Sequence, residues 1–183
     1  MDVLCSVDVA AVRAAPSDEA ERVTELLRGE PVAVEERRDG WARVRTAYDY
    51  PGWVREDELG GAGGDPVAEA RRYLGTPYLW GGLTDRGIDC SGLVHMAYRH
   101  LARLVPRDAD QQEDSGTAVG EADIRPGDLI TYAEEGEAQA THIAFWLGDG
   151  RILHSTQREG VDGVVEETEP VHLRRTRRRI VRL

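Results

Sequence analysis

Cysteine and histidine are the side chains best suited to making a nucleophile and moving its proton near neutral pH. The chain has two cysteines and five histidines among its 183 residues. Cys90 stands in Asp89-Cys90-Ser91-Gly92-Leu93-Val94, just after the glycine-rich stretch Tyr78-Leu79-Trp80-Gly81-Gly82. From it, apolar residues recur at Leu93, Val94, Ala97, Tyr98, Leu101 and Leu104, with His95, Arg99 and Arg103 on the other side. That spacing predicts a helix that opens at the cysteine, buries one stripe and ends at Pro106. A thiol there meets unpaired backbone N–H groups and the positive end of the helix dipole, and both favour a thiolate. Cysteines under helices more commonly serve packing. The flanking Asp89, Ser91 and Gly92, with two histidines downstream, make Cys90 a candidate nucleophile instead.

A thiolate peptidase needs an imidazole to carry the proton and a third group to hold that imidazole, both from distant sequence. His95 and His100 lie on the Cys90 helix itself, and His172 lies in the arginine-rich end. That leaves His142 and His154, on two strands (141–147 and 151–156) joined at Gly148-Asp149-Gly150. The loop decides their relation. A two-residue loop puts the two rings on opposite faces of the sheet. A three-residue loop with Gly150 as a left-handed bulge sets His154 opposite Ala144 and His142 diagonal to it on the same face. Diagonal positions lie about 7–8 Å apart, within reach for two imidazoles to hydrogen-bond. The catalytic reading therefore requires the odd loop. A metal site from Cys90, His142 and His154 is the weakest reading, because no fourth ligand has recognisable spacing; neither metal nor cofactor is called for.

The elements that must position these groups fall into two sets. Short strands are predicted at 3–7, 9–13, 22–27, 32–37, 41–46 and 52–54, broken by turn sequences such as Arg38-Asp39-Gly40 and Asp49-Tyr50-Pro51-Gly52. So many strands in sixty residues suggest a small barrel. Gly60-Gly61-Ala62-Gly63-Gly64 is the clearest break in composition, which places domains at 1–60 and 66–183 around a 61–65 linker. Asp65-Pro66 then caps a helix predicted to run to Leu74, with Val67, Ala70, Tyr73 and Leu74 inward and Gly75 as its stop. Downstream, Arg125-Pro126-Gly127-Asp128 feeds a strand at 129–132, and the arginine-rich end reads as a closing strand with a solvated arginine face.

The net charge of −11 argues against nucleic-acid binding and suits a substrate carrying an ammonium group. No stretch has the roughly 18 apolar residues of a membrane span. The start, Met1-Asp2-Val3-Leu4-Cys5, has no basic or apolar signal region. The expectation is a cytoplasmic protein, or an exported one if a leader precedes it. A disulfide between Cys5 and Cys90 is not expected, since a cytosol keeps thiols reduced and the catalytic reading needs Cys90 free.

The first sixty residues resemble a bacterial SH3 (SH3b) domain on Ala11-Val12-Arg13-Ala14-Ala15-Pro16, Gly40-Trp41-Ala42-Arg43-Val44-Arg45 and Gly52-Trp53-Val54. Residues 66–183 resemble the NlpC/P60 family of papain-like cysteine peptidases. The carrying stretches are Gly75-Thr76-Pro77-Tyr78-Leu79-Trp80-Gly81-Gly82, Asp89-Cys90-Ser91-Gly92-Leu93-Val94, Pro106-Arg107-Asp108, Arg125-Pro126-Gly127-Asp128-Leu129, His142-Ile143-Ala144 and Ile152-Leu153-His154. The implied fold is α+β, a papain-like domain preceded by a small all-β SH3-like barrel. With that barrel in front, the chain looks most like the γ-D-glutamyl-L-diamino acid endopeptidases of murein peptide recycling, which cleave after γ-D-Glu in peptides with a free L-Ala amine.

The resemblance implies Cys90 as nucleophile, His142 as base and His154 as the residue orienting it. It places Tyr78 near the scissile carbonyl, and Ser91 and Asp108 on the ligand's ammonium, with the Cys90 N–H as oxyanion donor. Asp89 is left between ligand contact and helix cap. Ala109 stands where the family often has serine, which puts one amine contact in question. Two other readings stay open: a non-catalytic module binding cell-wall peptide, and an amidase or acyltransferase of the same fold. The diamino acid accepted and the oligomeric state are not readable from the sequence.

Overall fold

Turn residues cut the first third of the chain into strands, and longer apolar runs alternate with helices beyond it. The computed structural model describes residues 3–61, 64–134 and 136–183. Ala62 and Gly63 of the glycine-rich break, and Glu135 of the acidic stretch 133–140, lie outside the described residues. The chain divides into two units, Met1–Gly64 with Arg99–Arg103, and Asp65–Tyr98 with Leu104–Leu183.

The first unit is one antiparallel sheet of seven strands: β1 (Val3–Cys5), β2 (Val9–Arg13), β3 (Arg22–Leu27), β4 (Pro31–Arg38), β5 (Trp41–Thr46), β6 (Pro51–Arg55) and β7 (Leu59–Gly61), in the order β3-β2-β6-β5-β4-β1-β7. Alternate residues Ala10 and Val12 of β2, and Ala42 and Val44 of β5, join Cys5, Leu26, Val32 and Val54 in its core. Trp41 breaks the alternation of β5, yet it is buried beside Ala42. A bulge in β4 between Val34 and Glu36 shifts the register there, and the Arg55 guanidinium covers the Trp41 ring at 4.4 Å.

The second unit opens with α1 (Pro66–Arg71), whose Asp65 cap accepts the Val67 N–H at 2.9 Å. It stops three residues earlier than the spacing predicts. Leu74 is half exposed, and Gly75, at φ +80°, turns the chain. The small pair β8 (Leu83–Thr84) and β9 (Gly87–Ile88) precedes α2 (Cys90–Arg99). Helix α2 also ends early, because Ala102 takes the left-handed conformation at φ +51°; Leu104 is 82% exposed and outside the buried stripe. After it come α3 (Ala109–Ser115), β10 (Thr117–Ala118), β11 (Leu129–Tyr132), β12 (His142–Gly148), β13 (Arg151–Arg158), β14 (Val161–Thr168), α4 (Val171–Arg175) and β15 (Arg177–Arg182). The sheet is antiparallel in the order β10-β15-β11-β12-β13-β14.

The arginine face of β15 is not simply solvated. Arg177 grips buried Glu169 through two hydrogen bonds of 2.6 Å, Arg178 reaches Glu113 and Arg182 reaches Asp128. Burial disfavours the Asp128 carboxylate, but Arg182 and the Arg125 N–H outweigh it and hold its pKa below the usual value. No helix among the described residues is long and apolar enough to cross a membrane.

Candidate active site

The two faces of the six-stranded sheet carry different chemistry. One face presents Leu129, Ile143, Phe145, Leu153 and Val164 to Leu93, Val94, Ala97 and Tyr98 of α2. This packing, with Tyr98 stacked on Phe145 at 6.3 Å, fixes α2 and so the position of its first residue, Cys90. The other face carries Ile130, Tyr132, Ala144 and Ile152. By the two-residue period of a strand, His142 and His154 share that second face.

Asp89 holds the helix start together. Its Oδ1 accepts the Gly92 N–H at 2.7 Å, as a cap does, while Oδ2 accepts the Gly81 N–H and an Arg107 N–H, each at 2.7 Å. Asp89 is thus a helix cap with both oxygens committed and 5% of the residue exposed, and it also lines a cavity that Cys90 shares. Arg107 also donates to Ser91 Oγ at 2.8 Å. Buried Gln112 of α3 donates to the carbonyls of Ser91 and Pro106 at 2.9 and 2.8 Å, pinning the turn that carries Asp108.

Cys90 lies in the wall of a cavity of about 1000 Å³ that Tyr78, Trp80, Ser91, Asp108 and His142 also line. Burial, and then the Asp89 charge, push the Cys90 thiol up to about 11, against the weaker pull of backbone N–H groups at Ile143 and Ser91. Burial of the helix start and the neighbouring Asp89 carboxylate thus oppose the thiolate that the helix dipole favours. Burial, followed by the charges of His154 and His172, pushes His142 down to about 3. Burial thus favours the uncharged form of both side chains. Burial also raises Tyr78 to about 12, helped by Cys90 and Asp89, so it stays a phenol donor.

His142 Nε2 and His154 Nδ1 are 2.7 Å apart, with the rings edge-on at 5.0 Å. The register that puts them on one face is the expected one, with Phe145 opposite Leu153 and Trp146 opposite Ile152. The device that sets it differs from the predicted loop. Asp149 and Gly150, at φ +50° and +73°, form a two-residue turn closed by Gly148 and Arg151. The odd residue is absorbed one step earlier, in a bulge between Trp146 and Gly148, with Gly148 at φ +94°.

Three residues join this site without having been found in the sequence. Glu167 Oε1 lies 2.9 Å from His154 Nε2, and Arg158 donates to both Glu167 oxygens. Tyr132 stands 5.6 Å from the His142 ring and donates its hydroxyl to Glu169 at 3.1 Å. The signal for Glu167 was there: Arg158 and Val161 flank a Glu159-Gly160 turn, and the resulting register makes Glu167 diagonal to His154, as His142 is on the other side. Gly163 hid it by breaking the alternation of β14. At φ +126°, any side chain there would collide with the Thr76 carbonyl, which instead accepts the Val164 N–H at 2.9 Å.

A cysteine on the first turn of a helix, packed on an antiparallel sheet that carries two hydrogen-bonded histidines, is a papain-like arrangement. Residues 75–180 match the NlpC/P60 family, and the chain belongs to it. Residues 12–59 match the bacterial dipeptidyl-peptidase Sh3 domain. The chain is 34% identical over 143 residues to the gamma-D-glutamyl-L-lysine dipeptidyl-peptidase of Bacillus subtilis (strain 168), which covers 74% of this chain and 48% of that protein. To the protein of the same name in Bacillus cereus (strain ATCC 10987 / NRS 248) it is 36% identical over 99 residues, 54% of this chain and 30% of the relative. It thus spans half or less of the length of these curated relatives. The crystal structure of an NlpC/P60 family protein from Bacillus cereus ATCC 10987 matches with a TM-score of 0.69 and 24% identity, over 99% of this chain and 62% of that one, a likeness of fold.

Proposed function

We propose that the chain is a cysteine peptidase that hydrolyses the γ-D-Glu–diamino acid bond of peptidoglycan-derived peptides with a free N-terminal L-Ala, in murein peptide turnover. The observation that carries this is the single cavity wall shared by Cys90, His142, Tyr78, Ser91 and Asp108. Asp108 is exposed there, with Oδ1 uncommitted among the described hydrogen bonds, and its carboxylate is suited to an ammonium. Ser91 Oγ keeps a second lone pair for the same group beyond the one Arg107 uses.

In this reading Cys90 Sγ attacks the γ-carbonyl carbon while its proton moves to His142 Nδ1, the ring nitrogen not bonded to His154. The carbonyl oxygen takes up the negative charge against the Cys90 N–H. Collapse breaks the C–N bond, the imidazolium proton passes to the departing amine, and a thioester remains. Water, deprotonated by His142, then attacks that thioester and releases the L-Ala-γ-D-Glu acid and the free thiol.

The test is mass spectrometry of products from L-Ala-γ-D-Glu-diaminopimelate and its N-acetylated form. The expected result is dipeptide and free diaminopimelate from the first, at least tenfold slower release from the second, and none with Cys90→Ala. Tight binding of the free-amine peptide without cleavage supports the non-catalytic module instead.

A further inference from the structure

His154 is fully buried and has two polar neighbours, one at each ring nitrogen: His142 at Nδ1 and Glu167 at Nε2. A histidine pair of this kind has two possible proton orders, and only one leaves His142 Nδ1 bare toward the thiol. We infer that Glu167 is a positioning residue that selects the productive order, making the site a relay of four side chains, Cys90–His142–His154–Glu167. This rests on the reading of Cys90 and His142 as the reacting pair.

An ionised carboxylate only accepts hydrogen bonds. Burial works against the Glu167 charge, but hydrogen bonds from His154 and Arg158 prevail and keep the carboxyl ionised below the ordinary range. His154 must then carry its proton on Nε2. Burial keeps His154 neutral, despite the pull of Glu167 in the opposite direction, so its Nδ1 is a lone pair. Across the 2.7 Å gap that lone pair accepts from His142 Nε2–H. His142 is neutral as well, so its Nδ1 is left as the acceptor for the thiol proton. Arg158 anchors the far end, donating to both Glu167 oxygens, and it lines the same cavity as Cys90. The strand register puts these groups on one face: His154 and Arg158 share a face of β13, and Glu167 of β14 lies diagonal to His154 on it. When His142 takes the thiol proton, the fixed carboxylate stabilises the resulting positive charge through His154.

The experiment combines ¹⁵N-resolved NMR of the histidine rings in the full chain with steady-state kinetics. Wild-type protein is expected to show both His142 and His154 protonated at Nε2. Glu167→Leu should abolish that single order and lower kcat about 10–100-fold, by analogy with loss of the group hydrogen-bonded behind a metal-bound histidine, with KM within about twofold. Glu167→Gln, which keeps an acceptor oxygen, should regain about tenfold in kcat over the leucine variant. A wild-type His154 proton on Nδ1 overturns the inference without any variant being needed, as does a Glu167→Leu enzyme with unchanged kcat. The ring spectra need no turnover, so an error in the substrate assignment leaves this test intact.

Discussion

The two units differ most in what they bury. Among the described buried polar side chains, only Thr46 lies in the seven-stranded unit. The second unit buries Asp89, Ser91, Gln112, Glu113, Asp128, His154 and Glu169, among others. The first unit keeps its charges in exposed pairs such as Arg45–Glu35, at 39% and 33% side-chain exposure. Glu169, by contrast, has no side-chain exposure and holds Arg174, Arg177 and Tyr132 together. Buried charges cost desolvation, and a fold built only for stability does better with apolar packing. Their concentration in one unit marks where geometry has to be specified as well as stabilised.

The widest way to test this contrast is to break one pair in each unit. Glu169→Gln leaves the guanidinium of Arg177 short of its counter-charge and is expected to cost about 3–5 kcal/mol in denaturant unfolding. Arg45→Ala, which breaks a pair screened by solvent, is expected to shift the unfolding midpoint far less. Similar losses in the two would remove the distinction.

Acid should separate the units as well. His142 and His154 are held below the ordinary imidazole value by burial, so below pH 6.5 the unfolded chain binds more protons than the native one, and stability falls. Glu167 and Glu169 are held below the ordinary carboxylate value once their partners outweigh burial; their contribution, full above pH 4.5, is lost as pH drops through their folded values. Glu58 of the first unit is shifted the other way, raised by burial and then by Asp57, so its contribution is present below pH 4.5 and lost as pH rises. Hydrogen-exchange mass spectrometry from pH 7 to 4 should therefore show the second unit losing protection first. Simultaneous loss in both would contradict this.

The same difference governs how much could be read from the sequence. The strands of the first unit follow from turn residues and alternation, and six of seven were legible; β7, in the glycine-rich Leu59–Gly61, carries neither signal. In the second unit the placement of Cys90 at a helix start and of His142 beside His154 was legible because helical spacing and hairpin register are local rules. Helix α3 was not, since Ala-Asp-Gln-Gln-Glu-Asp-Ser has no apolar stripe and forms around the buried Gln112 hydrogen bonds. Glu167 and Glu169 were hidden for a related reason. A carboxylate in an acidic chain reads as surface until tertiary partners such as Arg158 and Arg177 are seen. The helix dipole at Cys90 is a local rule, whereas the burial that opposes a thiolate there is a property of the whole fold and needed the structure.

The two thiols bring the contrast to a single measurement. Cys5 is sealed in the first unit's core, its sulfur directed to the Val7 and Leu26 carbonyls, while Cys90 lines the cavity that His142 also lines. Timed alkylation of the folded protein with iodoacetamide, read residue by residue by mass spectrometry, tests whether Cys90 is the activated thiol. Labelling at Cys90 with none at Cys5, slowed by His142→Ala, is the predicted result. Equal rates at the two thiols, or a Cys90 rate indifferent to His142, would contradict the account.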